Sequence, residues 1–268
     1  MTTHHAPLPL GTCTLVGAGP GDPELLTLKA VKAIQASTVL FVDDLVNDEI
    51  LAWARPGARI VHVGKRGGCK STPQAFIEKL MITAVREGEH VVRLKGGDPF
   101  IFGRGGEEVE HLREAGIECR VVNGITAGLA AVTALGVPLT HRDHAQGVVF
   151  VTGHAKAGER ARHDATDWRQ LAAAARDARL TLVVYMGVAG AAHIRTALLD
   201  GGLPASTPVA VVQHATLAHQ QQLLSTLGAL DADLAASGLG SPSVIVVGDV
   251  LRGVQALAQP SAARDFGT

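Results

Sequence analysis

The stretch that decides the fold lies between Arg93 and Glu108: Arg93-Leu-Lys-Gly-Gly-Asp98-Pro-Phe-Ile-Phe-Gly103-Arg-Gly-Gly-Glu-Glu108. Five of its residues are glycines, which let a backbone approach a ligand closely. Pro99 fixes one backbone torsion and restrains Asp98 toward an extended conformation. The stretch lies between a predicted strand at 90–94 and a predicted helix at 107–115. A loop in this position of an α/β protein is a common ligand site.

Strand-like and helix-like segments alternate along the rest of the chain. Short apolar runs predict strands, and apolar residues at helical spacing predict helices. This alternation favours an α/β fold, and we expect two α/β domains with mostly parallel sheets. The domains are predicted at residues 11–138 and 147–257, with a linker at 139–146. Because ligands often bind between domains, we expect the active site in an inter-domain cleft.

Composition narrows the class of protein. The chain has 268 residues, and 47% hydrophobic against 3% aromatic residues predicts a sizeable aliphatic core. A formal net charge of -1 argues against a nucleic-acid partner, which normally requires a basic excess. The spacing of the three cysteines and twelve histidines fits no metal site, so we predict no metal. No apolar run approaches the ~20 residues needed to cross a bilayer and no secretory signal is visible, so we expect a cytoplasmic protein without a membrane partner.

A glycine-rich turn, Gly17-Ala-Gly-Pro20-Gly-Asp22, follows the first predicted strand. It resembles a dinucleotide-binding turn, with Asp43 and Asp44 at the distance where a ribose-binding acid would lie. The match is imperfect because Asp22 stands where the last glycine of the motif belongs. A nicotinamide site and a plain turn without a ligand are both alternatives here.

A basic cluster of Lys65, Arg66 and Lys70 follows another predicted strand. A phosphate-binding P-loop is excluded because Cys69 stands where that motif requires glycine. The cations still suit an anionic ligand. A solvated basic turn accounts for them equally well.

Taken together, these segments resemble the tetrapyrrole methylase family, and within it the group that methylates uroporphyrinogen III. The likeness extends from about Thr12 to about Val250. It implies a homodimeric, S-adenosylmethionine-dependent C-methyltransferase with no metal. The implied reaction converts uroporphyrinogen III to precorrin-2 by successive methylations at C-2 and C-7, in sirohaem- or cobalamin-type biosynthesis. Alternatives are another precorrin methylase and a non-catalytic binder of the tetrapyrrole or the cofactor.

The resemblance also implies site residues. The proton acceptor falls on Asp43 and the proton donor on Lys65, and Arg104 is a further catalytic candidate. Since guanidinium is normally always protonated, we favour Arg104 as an electrostatic anchor. The substrate-binding candidates are Arg66, Glu107 and Arg142. The implied cofactor contacts are Pro20, Gly96, Gly97, Asp98, Ile101, Thr126, Ala127, Met186 and Ala215.

Several of these residues also have simpler explanations. Asp43 suits a turn, Thr126 a helix cap, and Met186 a place in the core; Arg142 suits a surface ion pair with Asp143. Two positions depart from the family pattern. The family usually has tyrosine at Val42 and proline at Asn123, and the second departure predicts a more flexible turn.

Overall fold

The computed structural model describes residues 10–64, 73–154 and 166–253. The chain divides into two compact units between Thr126 and Ala127. Each unit contains one five-stranded sheet with helices packed against it. The α/β class predicted from the sequence is therefore confirmed.

The first unit contains a parallel sheet. Its strands are β1 (Thr12–Gly17), β2 (Val39–Val42), β3 (Arg59–His62), β4 (His90–Lys95) and β5 (Cys119–Val122). They lie in the order β3-β2-β4-β1-β5, and every pairing is parallel. The connecting helices are α1 (Leu28–Ala36), α2 (Gln74–Arg86) and α3 (Gly105–Glu114).

Helices cover both faces of this sheet. Ala30 and Ile34 of α1 pack in the cluster on one face. Met81 of α2 and Leu112 of α3 pack in the cluster on the other. Successive strand residues point to opposite faces, so a strand covered on both faces buries both sets of side chains. All four residues of β2 are accordingly apolar and buried, and β4 buries Val91, Val92 and Leu94.

The second unit contains a mixed sheet. Its strands are β6 (Gly147–Thr152), β7 (Leu180–Tyr185), β8 (Pro208–Gln213), β9 (Gln221–Thr226) and β10 (Ser243–Val247), in the order β6-β7-β10-β8-β9. Its helices are α4 (Ala127–Ala134), α5 (Trp168–Asp177), α6 (Ala191–Asp200) and α7 (Leu230–Ser237).

The expectation of a mostly parallel sheet is wrong for this second unit. Only the β6–β7 pairing is parallel, and the other three are antiparallel. The reason is the direct connection from β8 to β9, which carries no helix and so reverses the strand direction. The crossover through α7 then keeps β10 parallel to β9. As a result, β10 runs antiparallel to both of its neighbours, β7 and β8.

The division between the units falls before the segment that we expected to be the linker. Ala131 and Val132 of α4 pack with Val183 and Val246 of the second sheet, so this helix belongs to the second unit. The segment 139–146 lies within that unit, and the Thr181 hydroxyl donates to the Leu139 carbonyl at 2.8 Å. Among the described helices, none has the length and apolar character needed to span a membrane.

Candidate active site

Three loops meet at the carboxyl edge of the parallel sheet, after β1, β4 and β5. Gly19 and Gly97 exchange backbone hydrogen bonds of 3.2 and 2.7 Å. A Cβ added to Gly124 would lie 2.2 Å from the Gly97 carbonyl oxygen, and one on Gly17 would lie 2.4 Å from the Gly124 nitrogen. Glycine is therefore required here because the three backbones touch. We call this contact of the three loops the bend, and Pro20 lies on its first loop, after β1.

The bend lies at the topological switch point of the sheet. Strands β1 and β4 are neighbours. The chain leaves β1 toward α1 on one face, whereas it leaves β4 toward α3 on the other. In open α/β sheets, ligands bind in the crevice that such diverging connections create. The predicted cofactor contacts Gly96, Gly97 and Asp98 lie at this point.

Backbone contacts hold the rest of the loop after β4. The Ile101 nitrogen donates to the Asp98 carbonyl at 3.3 Å, and the Gly105 nitrogen donates to the Pro99 carbonyl at 3.0 Å. Phe102 and Arg104 have φ angles of 54° and 57°. Non-glycine residues in this left-handed region are strained, and such strain clusters at functional sites.

Arg104 and Glu107, both predicted site residues, form an ion pair. Arg104 Nε lies 3.1 Å from each carboxylate oxygen of Glu107. This hydrogen bond lowers the pKa of Glu107 and raises that of Arg104. Both side chains are about half exposed. The guanidinium is therefore charged, accessible, and oriented by a neighbouring carboxylate.

Asp43, the predicted proton acceptor, directly follows β2. Its backbone nitrogen donates to the Leu94 carbonyl at 3.0 Å, which ties it to β4. Its Oδ1 lies 3.5 Å from a terminal nitrogen of Arg93. The Asp43 side chain is 34% exposed, whereas that of Arg93 is 2% exposed. The carboxylate is thus held from inside the protein and open to solvent on its other side. The preceding Val42 is buried in the cluster on the α1 face.

A buried network of charged side chains supports Arg93, and sequence reasoning missed it. Glu108 is fully buried, with Oε1 3.1 Å from Arg93 Nε and Oε2 3.1 Å from Lys95 Nζ. Gln74 Nε2 also donates to Glu108 Oε1, at 2.8 Å. Together with Asp43, the network contains two cations, Arg93 and Lys95, and two carboxylates. Burial lowers the pKa of Lys95. The available signal was a pair of cations, two positions apart, in a strand whose other buried residues are apolar.

Apolar side chains are exposed beside the same loops. Leu45, Phe100 and Phe102 are 61%, 53% and 40% exposed. Leu45 packs over Gly96, since a Cβ on that glycine would lie 2.7 Å from Leu45 Cβ. The edge of the first unit therefore combines backbone groups, charged groups and an apolar surface.

In the second unit, the predicted contacts Met186 and Ala215 lie at one edge of the sheet. They follow β7 and β8, which run in the same direction on either side of β10. Met186 has a φ of 54°, and the two neighbours of Ala215 have φ angles of 51° and 70°. Met186 is half exposed, so it is not a core residue, whereas Ala215 is buried.

Ala127 lies at this same edge of the second sheet. It begins α4, and the next nitrogen, that of Gly128, donates to the Tyr185 hydroxyl at 2.7 Å. Arg142 is exposed in a turn closed by backbone hydrogen bonds between His141 and Ala145. Thr126, the last residue of the first unit, is buried.

Two predicted site residues, Lys65 and Arg66, lie outside the described residues. Across the three ranges that are described, no group of three or more His, Cys, Asp or Glu side chains is arranged to hold a metal ion.

Comparison with known proteins identifies the class of protein. The model of the family "Tetrapyrrole (Corrin/Porphyrin) Methylases" matches residues 12–231. The chain therefore belongs to the tetrapyrrole methylase family, which confirms the resemblance seen in the sequence.

Individual relatives place the chain more narrowly. It is 52% identical over 250 residues to uroporphyrinogen-III C-methyltransferase of Pseudomonas aeruginosa, covering 93% of this chain and 97% of the relative. It is 47% identical to siroheme synthase 2 of Aeromonas hydrophila over 97% of this chain, but this covers 53% of that longer relative.

Solved structures agree with these relatives. The uroporphyrin-III C-methyl transferase of Thermus thermophilus complexed with S-adenyl homocysteine is 38% identical, with a TM-score of 0.73, and the match covers 91% of this chain and 100% of that chain. A cobalt precorrin-4 methyltransferase is 27% identical, with a TM-score of 0.78 over 90% of this chain and 95% of that chain.

Proposed function

We propose that this chain is an S-adenosylmethionine-dependent C-methyltransferase that converts uroporphyrinogen III to precorrin-2 by two successive methylations, at C-2 and C-7. The observation that carries the proposal is the contact of three glycine backbones at the switch point of the parallel sheet. The 52% identity to a uroporphyrinogen-III C-methyltransferase over almost the whole chain supports the same substrate.

The residues of the bend fit the cofactor. Gly96, Gly97 and Ile101 would hold it mainly through backbone groups, because a glycine has no side chain to keep a ligand away from its backbone. Packing against Leu45 separately requires glycine at position 96. Met186 and Ala215 are proposed as further cofactor contacts on the resemblance alone. When bound, S-adenosylmethionine supplies an electrophilic methyl group whose leaving sulfur becomes neutral, so this chemistry requires no metal.

The substrate is a polycarboxylate built on an apolar macrocycle. Arginine suits its carboxylates because the planar guanidinium binds them in a bidentate manner. Arg104 is charged and half exposed, and Arg142 is exposed. We assign both to substrate binding with Glu107, which orients Arg104. The exposed side chains of Leu45, Phe100 and Phe102 offer apolar contact area for the macrocycle.

Asp43 is the proposed base. Methylation of a pyrrole carbon leaves an excess proton on the macrocycle, and a nearby group must accept it. Asp43 presents a partly exposed carboxylate that Arg93 holds from behind. Arg104 is unsuited to this role because its pKa is raised further by Glu107. Lys65 and Arg66 are proposed as proton donor and substrate contact on the resemblance alone.

Transfer of a labelled methyl group tests the assignment of Asp43. We expect the wild type to move label from S-adenosylmethionine into uroporphyrinogen III. Asp43→Asn should lose at least about a hundredfold in turnover, in line with a general base, while it binds S-adenosylhomocysteine as the wild type does. Glu49→Gln, an exposed acid on the turn that follows, serves as the control. Undiminished turnover in Asp43→Asn would refute the assignment.

A second substrate is suggested by the similarity to the cobalt precorrin-4 methyltransferase structure. Supplying a later precorrin in the same assay distinguishes that substrate from uroporphyrinogen III. A methylase specific for the later precorrin would label it and leave uroporphyrinogen III unlabelled. We further propose a homodimer in the cytoplasm, without nucleic-acid or membrane partners. Sedimentation of the purified chain tests the dimer.

A further inference from the structure

The loops after β4 and β5 are not joined by the sheet itself. Strand β1 lies between β4 and β5, so no ladder hydrogen bond connects them directly. Yet loops 96–101 and 123–126 both carry proposed cofactor contacts. Their spacing is therefore set by contacts between the loops. These are the close approach of the Gly97 and Gly124 backbones and the hydrogen bonds of the Asp98 side chain.

Asp98 accepts hydrogen bonds from both loops. Its Oδ1 accepts from the Phe100 nitrogen at 2.8 Å, within its own loop. Its Oδ2 accepts from the Gly124 nitrogen at 3.1 Å and from Asn123 Nδ2 at 3.2 Å. Asp98 is 6% exposed, so its carboxylate is directed into the protein. Hydrogen bonds to a charged acceptor are roughly twice as strong as neutral ones.

We propose that Asn123 and Asp98 form a clamp that sets the spacing of the two cofactor-binding loops, and that Asn123 is therefore a positioning residue for the cofactor. The inference rests on the proposed function, because it assumes that these loops bind the adenosyl donor. Asn123 is exposed at the end of β5, so its amide has no part in the hydrophobic core. Its contact with Asp98 gives it a role beyond that of a surface residue.

The geometry also predicts which substitutions disrupt the clamp. Asn123→Ala removes one donor but leaves the Gly124 nitrogen on Asp98, so the loops should shift without unfolding. Asn123→Asp places a second carboxylate where the amide nitrogen lies, 3.2 Å from Asp98 Oδ2. Two carboxylates at that distance repel each other.

Calorimetric titration with S-adenosylhomocysteine tests the clamp, together with steady-state kinetics for both substrates. We expect Asn123→Ala to weaken binding by about 3- to 10-fold and Asn123→Asp by more than about tenfold. The KM for S-adenosylmethionine should rise while that for the porphyrinogen stays the same. Glu118→Ala, an exposed change at the opposite end of β5, is the control.

The outcomes separate this inference from the function on which it rests. If the wild type fails to bind S-adenosylhomocysteine, the proposed function is wrong. If the wild type binds S-adenosylhomocysteine but Asn123→Ala and Asn123→Asp bind it equally well, the clamp is wrong. A change confined to thermal stability, with unaltered affinity, would likewise reduce Asn123 to a structural residue and overturn the proposal.

Discussion

Arg93 and Glu108 form an ion pair in the interior of the first unit, with Nε 3.1 Å from Oε1. The two side chains are 2% and 0% exposed. Glu108 also faces Lys95, so two buried cations share its carboxylate, and Arg93 additionally reaches Asp43. This relationship connects α3 to the strand that leads into the glycine-rich loop, and it lies directly behind Asp43.

Removing this carboxylate should be costly. Glu108→Ala leaves the buried Lys95 without its carboxylate and Arg93 with Asp43 alone, so we expect the free energy of unfolding to fall by about 3–5 kcal/mol. Urea denaturation measures this change. Glu110→Ala, on the exposed side of the same helix, should stay within about 0.5 kcal/mol of the wild type. A Glu108→Ala protein as stable as Glu110→Ala would show that the network does not stabilise the fold.

The close approach of Gly97 and Gly124 predicts that alanine is harmful at one glycine of the chain and harmless at another. Gly124→Ala places a Cβ 2.2 Å from the Gly97 carbonyl oxygen, so the loops must separate. We expect a lower thermal midpoint and at least about tenfold weaker binding of S-adenosylhomocysteine. Gly106→Ala is the matched control, because a Cβ there meets no atom within 4 Å and the residue is helical. It should be neutral or stabilising by about 0.5 kcal/mol. Equal behaviour of the two variants would contradict the close approach.

Substituting Arg104 tests bidentate recognition of the substrate. Arg104→Lys keeps the charge but loses the planar fork that holds Glu107 and would hold a substrate carboxylate. We expect turnover to fall by about 10- to 100-fold, because a misplaced substrate reacts slowly. Binding of S-adenosylhomocysteine should not change. Near-normal turnover would show that charge alone suffices at this position.

Stability should depend on pH through His111 and Glu78, which join α3 to α2. His111 Nδ1 lies 2.7 Å from Glu78 Oε2, and this hydrogen bond raises the pKa of His111. Because the pKa of His111 is higher in the folded than in the unfolded state, its ion pair stabilises the fold fully at pH values below the unfolded pKa of about 6.5. This stabilisation is lost as the pH rises through the folded pKa. The difference in thermal midpoint between wild type and His111→Gln should therefore be largest near pH ~6 and shrink at higher pH. A difference that grows with pH would contradict the ion pair.

Much of the fold was accessible from the sequence because the first unit follows one rule throughout. Each strand of the parallel sheet contains at least two consecutive aliphatic residues, and the glycine-rich loop lies between β4 and α3 as predicted. The second sheet breaks that rule at the direct connection from β8 to β9. Nothing in the alternation of segments indicates that a helix is absent there, so the reversal of strand direction was missed.

Contacts of the candidate site between residues close in sequence were predictable. Contacts between residues far apart in sequence were not. Arg104 and Glu107 are three residues apart and meet as helix neighbours do. Glu108 meets Gln74 only because α2 packs against α3. The cysteines are a further example. Cys13 and Cys119 lie opposite each other on the adjacent strands β1 and β5, although their separation in the sequence does not predict a contact. Their hydrogen bond raises the pKa of Cys13.

The most direct test of the account is mass spectrometry of the product made from uroporphyrinogen III and S-adenosylmethionine by the purified chain. The account predicts a product heavier by two methyl groups, with a singly methylated species appearing first and two molecules of S-adenosylhomocysteine released for each product. An unmethylated tetrapyrrole recovered from a chain that binds S-adenosylhomocysteine would contradict it.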